Sequence, residues 1–368
     1  MKRILAIISL FYFIIGFGQD LSMSAALEKG LKNNFDIQLI AANYEVSKTQ
    51  NSWGMAGMIP TFSLGINNNT SIQDNTNNPA TFFPGVLLID NLQASLDMNW
   101  TVFSGFGIRI NKERFDKLQA QTKGNAIVVI ESTIYDIIMA YYTAVVQERK
   151  LTVLRDLLDY SRRKLDYFKM KSDIGVAPSI DLLEFENQLL NDSTNYLLQQ
   201  LSYRNALRNL NMTLGEDVEE LYELSDSLKV DTPNSTYEDL KNEMVVNNSN
   251  LKNQLINIEL KELEERSKKA AYYPIIAVGL STSPSIGYFR LFGDNGFSAN
   301  TNAWSTGANV SLRYDLCQGW NRKRNSQIAQ IQTEIALMEN EQFKLQLNHQ
   351  LRGLFELYQI RNKVEIMA

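Results

Sequence analysis

The chain has one imidazole, His349, and one thiol, Cys317, to offer nucleophilic or metal chemistry. A lone cysteine cannot close an intrachain disulfide, and a lone histidine supplies neither a His-rich metal cluster nor a catalytic dyad. His349 sits in a helical stretch rich in Gln and Asn, where a solvated surface position accounts for it. No carboxylates pair in the manner of a general acid and base, and no Gly-rich phosphate loop occurs. The charged residues with regular spacing are Asp97, Arg313 and Asp315, each on the polar side of a two-residue alternation. That position suits the wet lining of a passage better than catalysis. The expectation is no enzyme activity, no catalytic residue, no metal and no cofactor.

The elements that would position these residues are strands. From Thr61, Phe62, Leu64 and Ile66 alternate with Ser63, Gly65 and Asn67, and Ile276, Val278 and Leu280 alternate with Ala277, Gly279 and Ser281. Longer runs set Leu92, Leu96, Met98, Trp100 and Val102 against Gln93, Asp97, Asn99 and Thr101, and Val310, Leu312, Tyr314 and Leu316 against Asn309, Arg313 and Asp315. Period two over about ten residues fits a strand with lipid on one side and water on the other. Leu92, Leu96, Met98, Trp100, Val310, Leu312 and Tyr314 are then lipid-facing, and Gln93, Asp97, Asn99, Asn309, Arg313 and Asp315 lumen-facing. A soluble antiparallel sheet on a core has the same period; the features at the chain's start and its long helices favour a barrel.

The sequence begins MKRILAIISLFYFIIGFGQD, with Lys2 and Arg3 ahead of an apolar stretch and small residues before Gln19. This reads as a signal peptide over 1–18, in preference to a retained anchor, because the stretch is short and no Cys follows it. Beyond it, the best candidate for a membrane-spanning helix, Ala126 to Val146, is interrupted by Glu131 and Asp136. A net charge of -5, with no clustered Lys and Arg, disfavours nucleic acid. With 44% hydrophobic residues the chain is a folding sequence, not a disordered one.

The sequence is written twice. An offset of 214 residues places Asn33, Asn34, Pro60, Gly65 and Gly105 on Asn247, Asn248, Pro274, Gly279 and Gly319. Each half should therefore run helix, strand, loop, strand, long helix. Helices are expected over Leu21 to Met58 and Tyr237 to Tyr272, closed by Pro60 and Pro274. Loops are expected over Asp74 to Ile89 and Pro284 to Asn302. Gly105 and Gly319, with the two prolines, mark the switches between helix and strand. Four strands are too few to close a pore, and lipid tolerates no open sheet edge, so several copies must pool their strands. Three copies would supply twelve.

After Gly105 the period becomes helical. Ile130, Ile137, Ala144, Leu151 and Leu158 recur every seven residues within a stretch from Ile108 to Met170, on the order of 90 Å long. Leu182, Leu189, Tyr196, Tyr203 and Leu210 repeat the step, as do Leu183, Leu190 and Leu197, so the two helices should pair as an antiparallel hairpin. The expected organisation is a first repeat over 19–215, an acidic connector over 216–235 and a second repeat over 236–368.

This arrangement resembles the TolC-like outer-membrane efflux protein family over essentially the whole chain after the leader. The resemblance is carried by Asn33, Asn34 and Pro60 with their partners Asn247, Asn248 and Pro274, by Phe103-Ser104-Gly105 and by Ala140-Tyr141-Tyr142. It is most specific at Gly175-Val176-Ala177-Pro178-Ser179-Ile180-Asp181-Leu182-Leu183, followed by Leu210-Asn211 and Leu214-Gly215. The resemblance implies an α+β membrane protein: a trimeric 12-stranded β-barrel in the outer membrane, four strands per protomer, continued by a long α-helical coiled-coil barrel in the periplasm. It implies a passive exit duct for efflux or type I secretion, partnered by a periplasmic adaptor (membrane fusion) protein, an inner-membrane pump and outer-membrane lipid. By the same resemblance Gly175, Val176, Pro178, Asp181, Leu182 and Leu183 form the tip where the adaptor docks. The second tip would fall near position 389, so a truncated second repeat, without its last helix, is expected. A trimeric coiled-coil adhesin and a periplasmic coiled-coil scaffold are the alternative readings.

Overall fold

A computed structural model describes residues 19–176, 178–226, 235–293 and 296–367. The expected signal peptide and part of the expected connector lie outside the described residues. In chain order the elements are β1 (Gln19–Leu21), α1 (Met23–Asn33), α2 (Phe35–Gln50), β2 (Thr61–Asp74), β3 (Val86–Ser104), α3 (Gly107–Asp173), α4 (Ser179–Leu214), β4 (Tyr222–Leu224), α5 (Tyr237–Asn247), α6 (Ser249–Ala270), β5 (Ile275–Phe292), β6 (Ser298–Arg313) and α7 (Asn321–Met367). They fall into two compact units, Met1–Ala42 with Asn125–Thr236, and Asn43–Gly124 with Tyr237–Ala368.

The first unit is organised by a small core. Leu21, Ala26, Ile137, Tyr141, Val145, Leu210, Leu214 and Tyr222 are buried together. Tyr141 donates its hydroxyl to the Leu21 carbonyl at 2.8 Å, so this buried phenol is satisfied. β1 pairs in parallel with β4, Gln19 opposite Tyr222, inside the stretch expected to be only a connector. From this core α3 and α4 run on as a coiled-coil hairpin whose seam buries Leu151, Leu158 and Leu165. Of the two heptad series on α4, Leu182, Leu189, Tyr196 and Tyr203 are half-buried, whereas Leu183, Leu190 and Leu197 are exposed. α3, which contains the stretch Ala126 to Val146, holds an 18-residue window of mean hydropathy 1.3, long and apolar enough to cross a membrane by length and composition. Its apolar residues include Ile137, Tyr141 and Val145 of the core.

The helix expected over Leu21 to Met58 is two helices, and the same is true of Tyr237 to Tyr272. The breaks fall at Asn34 and Asn248, equivalent positions of the repeat. Asn34 leaves helical geometry at φ -59°, ψ 131°, and its Oδ1 accepts the amide hydrogens of Asp36 at 2.8 Å and Ile37 at 3.2 Å. Asn248 does likewise for Leu251 at 2.9 Å. An asparagine side chain that satisfies the next helix's free amides makes the interruption affordable. α2 also stops at Gln50, so a turn around Trp53 to Met58, not a helix, leads into Pro60.

The second unit holds a four-stranded antiparallel sheet in the order β2-β3-β5-β6. The two hairpins meet through β3 and β5, and β2 and β6 are the edges. The strands are longer than their alternation suggested and the loops shorter. β5 runs straight through Pro284, which was expected in a loop. Proline has no amide hydrogen, and the β3–β5 ladder skips the step between Gln93↔Ser285 and Leu96↔Thr282, where that hydrogen would be missed. At the other end β6 stops at Arg313, so Tyr314 and Asp315 stand beyond the strand in which they were expected. Below the sheet α6 packs on α7, burying Leu251, Ile258 and Leu263 on one and Ala329 and Ala336 on the other. A Cβ at Gly124 of α3 would overlap the Asn253 side chain of α6, which explains a glycine inside a helix of 67 residues.

A two-faced sheet and an exposed helical tip as the candidate functional site

Direct cross-strand partners share a face, so the register sorts the sheet residue by residue. Phe62, Met98 and Leu280 align with Ala308; Leu64 aligns with Leu96; and Trp100 aligns with Val278 and Val310, then Ile276 with Leu312. The other face carries Thr61, Asn99, Gly279 and Asn309 in one row and Ser63, Asp97, Ser281 and Gly307 in the next, with Gln93 beside Asn67 and Ser285. Leu64 is 76% exposed and Val310 75% on the first of these faces, where Thr282 and Thr306 complete the row of Leu64 and Leu96. On the polar face Ser95 donates to Asp97 at 2.9 Å. Arg313 closes that face beside Ile275, and its guanidinium donates to Asp315 at 3.3 Å from the neighbouring turn.

Past Asn91 the polarity changes sides. Ile89 pairs with Phe289 and Leu87 with Leu291 on what had been the polar face, while Thr70, Asp90, Tyr288 and Asn300 take the other. Phe83 and Phe297 pack there with Phe289, ring centroids 5.2 to 6.4 Å apart. Sequence reading missed this exchange because Leu87, Leu88 and Ile89 are a continuous apolar run with no phase to read.

The switches from strand to helix repeat in backbone detail. Gly105 and Phe106 have φ of 62° and 66°, and Gly319 and Trp320 have 58° and 64°. Two consecutive left-handed residues reverse the chain sharply, and glycine carries the first of them without steric cost. Their surroundings differ. Phe106 meets Phe103 and Tyr273 edge to face at 5.4 and 5.9 Å. A Cβ at Gly105 would strike the Ala270 carbonyl and Tyr273, whereas one at Gly319 would meet nothing within 4 Å. Trp320 is 73% exposed.

At the far end of the helical hairpin, Gly175 (φ 74°) closes α3 by donating to the Ser172 carbonyl at 2.9 Å, while Val176 donates to Lys171 at 2.9 Å. Pro178 is the N-cap of α4 and Asp181 lies in its first turn. Ala177 lies outside the described residues. Val176, Ile180 and Leu183 are exposed, and Asp181 and Leu182 half-buried, so the turn presents a small apolar knob. Behind it Phe168 and Phe185 stack at 4.2 Å, with the Lys164 ammonium 4.5 Å from the Phe185 centroid.

Electrostatic perturbation is confined to structural contacts. Lys29 is held above its ordinary value chiefly by Tyr222, whose hydroxyl also donates to Glu216. Burial pushes the Tyr203 phenol up to about 12, with Glu148 adding to the effect. Asp116 is held below the usual carboxylate range by Lys112, 2.6 Å away. Cys317 and His349 are exposed and separate, and among the described residues no three His, Cys, Asp or Glu converge as metal ligands.

Comparison with known proteins gives a consistent result. The family model for outer membrane efflux proteins matches residues 26–216. No curated protein sequence matches the chain. Among solved structures, a CusC structure described by its transmembrane channel formation superposes with a TM-score of 0.71 at 12% identity, covering 95% of this chain and 79% of that one. The CmeC outer membrane channel of Campylobacter jejuni gives 0.70 at 14% identity, covering 93% and 72%. The outer membrane protein VceC of Vibrio cholerae gives 0.66 at 13%, covering 92% and 79%. At these identities the likeness is one of fold: β-barrel strands continued by long helices.

Proposed function

The chain belongs to the outer membrane efflux protein family, and we propose that it is one protomer of a homotrimeric duct, an outer-membrane exit channel that a periplasmic adaptor couples to an inner-membrane pump. Its place is the outer membrane, with the helical part in the periplasm. The observation that carries the trimer is the sheet itself. β2 and β6 each leave a row of backbone donors and acceptors open, on strands whose one face is apolar and exposed. Hydrocarbon makes each unsatisfied group cost several kcal/mol, so the edges must meet those of sister copies. Three copies of four strands give a closed twelve-stranded cylinder.

In that cylinder Leu92, Leu96, Met98, Trp100, Val310 and Leu312 face lipid, and Gln93, Asp97, Asn99, Asn309 and Arg313 line a water-filled lumen. The protein performs no reaction: its polar lining lowers the cost of moving a hydrated solute, and the driving energy comes from the pump. The knob of Val176, Ile180 and Leu183 is the adaptor's contact, an apolar patch that a coiled-coil partner can cover. Crosslinking in intact membranes followed by mass spectrometry tests both levels. Trimers of this chain with adaptor peptides attached near Val176 are expected, and Val176→Asp should abolish export and adaptor crosslinks while trimers persist. A monomer that fractionates with soluble proteins would refute the proposal.

A further inference from the structure

The internal repeat states how one copy should meet the next. Moving by 214 residues carries β3 onto 300–318, which begins within β6 and runs past its end, and carries β5 onto a stretch beginning at Thr61, the first residue of β2. The β3–β5 joint inside one chain is therefore a template for a β6–β2 joint between two chains. Resting on the reading that the chain is a barrel protomer, we propose that β6 pairs antiparallel with β2 of a second copy in the β3–β5 register, and that the second copy's turn around Ala56 to Ile59 seats on the open switch at Gly319 and Trp320.

The register transfers residue by residue. Met98↔Leu280 becomes Leu312 opposite Ile66 of the partner subunit, and Trp100↔Val278 becomes Tyr314 opposite Leu64 of the partner subunit. Beyond the irregularity between Thr101 and Phe103, Phe103↔Ile276 becomes Cys317 opposite Phe62 of the partner subunit. These three transferred pairs are apolar against apolar, and Leu96↔Thr282 becomes Val310 opposite Asn68 of the partner subunit. Arg313 falls opposite Gly65 of the partner subunit, on the polar face. A slip of one residue would turn Leu312 and Tyr314 toward the polar row, which the face-to-face alternation forbids.

A slip of two residues keeps the faces, and the switch excludes it. Within one chain Gly105 and Phe106 are covered by Ala270 and Tyr273 at the end of α6. Their equivalents, Gly319 and Trp320, have no such cover, and Leu316 beside them is 89% exposed. The repeat equivalents of Ala270 and Tyr273 are Ala56 and Ile59, and Met55, Met58 and Ile59 of that turn are exposed. Only the template register brings this turn of the second copy onto Gly319. The same joint explains why β6 ends early. β3 continues to Ser104 because Ile275 is there to pair with it. β6 stops at Arg313, opposite that same Ile275, although its alternation continues to Leu316. Tyr314 to Gln318 lack a strand partner until a neighbour's Thr61 to Leu64 arrives.

The test is disulfide trapping in outer membranes, in a Cys317→Ser background. Leu312→Cys with Ile66→Cys, and Tyr314→Cys with Leu64→Cys, place Cα atoms about 4.5–5.5 Å apart, within disulfide reach. Leu312→Cys with Leu64→Cys or Asn68→Cys places them about 7–8 Å apart. The in-register pairs are expected to give roughly tenfold more intersubunit disulfide than the displaced pairs, a ratio set by that geometry. Stronger trapping by a displaced pair in protein that still runs as a trimer overturns the register and leaves the trimer standing. Absence of any oligomer of the wild-type chain overturns both. Hydrogen exchange on the unmodified membrane protein needs no variant to fold: slow amides at alternate positions from Tyr314 to Gln318 are expected, and free exchange at all of them contradicts the joint.

Discussion

In the unit built on α3 and α4, Ile137, Tyr141 and Leu210 are completely buried and the seam through Leu151, Leu158 and Leu165 is covered by the same chain. In the four-stranded sheet of the other unit, Leu64, Ile66, Val310 and Leu312 are all at least 68% exposed. Both regions spend similar residues on period and register. They differ in what covers them: the hairpin's inner seam is finished by its own partner helix, whereas the sheet leaves an apolar face exposed and β2 and β6 as open edges. The hydrophobic effect thus stabilises one region on folding and suits the other to a membrane. The first strand-to-helix switch, closed by α6, and the second, open at Trp320, repeat that contrast on a smaller scale.

The contrast can be broken most forcefully in the covered region. Leu210→Ala should cost about 2–5 kcal/mol by leaving a cavity in a fully packed site, read as a lower denaturation midpoint of the detergent-solubilised protein. Replacement of exposed Leu64 by Ala should barely move that midpoint. On the sheet, Leu64→Arg should cost about 2–4 kcal/mol if it faces mid-bilayer and deplete the protein from outer membranes. Ser63→Arg, one residue away on the polar face, should insert normally.

How far the sequence predicted these regions depends on the length over which a pattern repeats. The strands around Leu96 and Val310, the α3–α4 hairpin and the 214-residue repeat were all legible, because period two, period seven and the matched Pro and Gly positions each recur many times. The β1–β4 pair was not, since three residues such as Tyr222 to Leu224 offer no period. The breaks at Asn34 and Asn248 were also missed: an asparagine within an otherwise continuous helical pattern looks neutral until its side chain is seen capping the next turn. The two series on α4 have the same spacing, and only packing distinguishes half-buried Leu182 from exposed Leu183. The early end of β6 at Arg313 was not legible in the sequence, because the alternation continues to Leu316.

Smaller effects sharpen the comparison within the helical unit. The Tyr203 phenol is raised from 10 to about 12, so its contribution is whole below pH 10 and is lost as pH rises through 12. Thermal melts between pH 9 and 12 should show it, and Tyr203→Phe should flatten the slope. Asp192, buried in the hairpin, accepts from Ser161 at 2.6 Å and from Gln188 at 3.0 Å. Asp192→Ala should cost about 1–3 kcal/mol by stranding the Ser161 hydroxyl, read in the same melts. The smallest effect belongs to Asp116 in the other unit, whose depressed carboxyl stabilises above the unfolded value and ceases to as pH falls through the folded one. Its side chain is 53% exposed, so added salt should erase the difference between wild type and Asp116→Asn.

The division of the sheet into a lipid face and a water face is the claim on which the account stands. Single cysteines placed along β3 at residues 92 to 100, in a Cys317→Ser background, can be labelled with a membrane-impermeant maleimide after insertion into lipid. Alternating reactivity is predicted, with Gln93, Asp97 and Asn99 positions labelled and Leu92, Leu96, Met98 and Trp100 positions protected. Equal labelling at both sets of positions would contradict it.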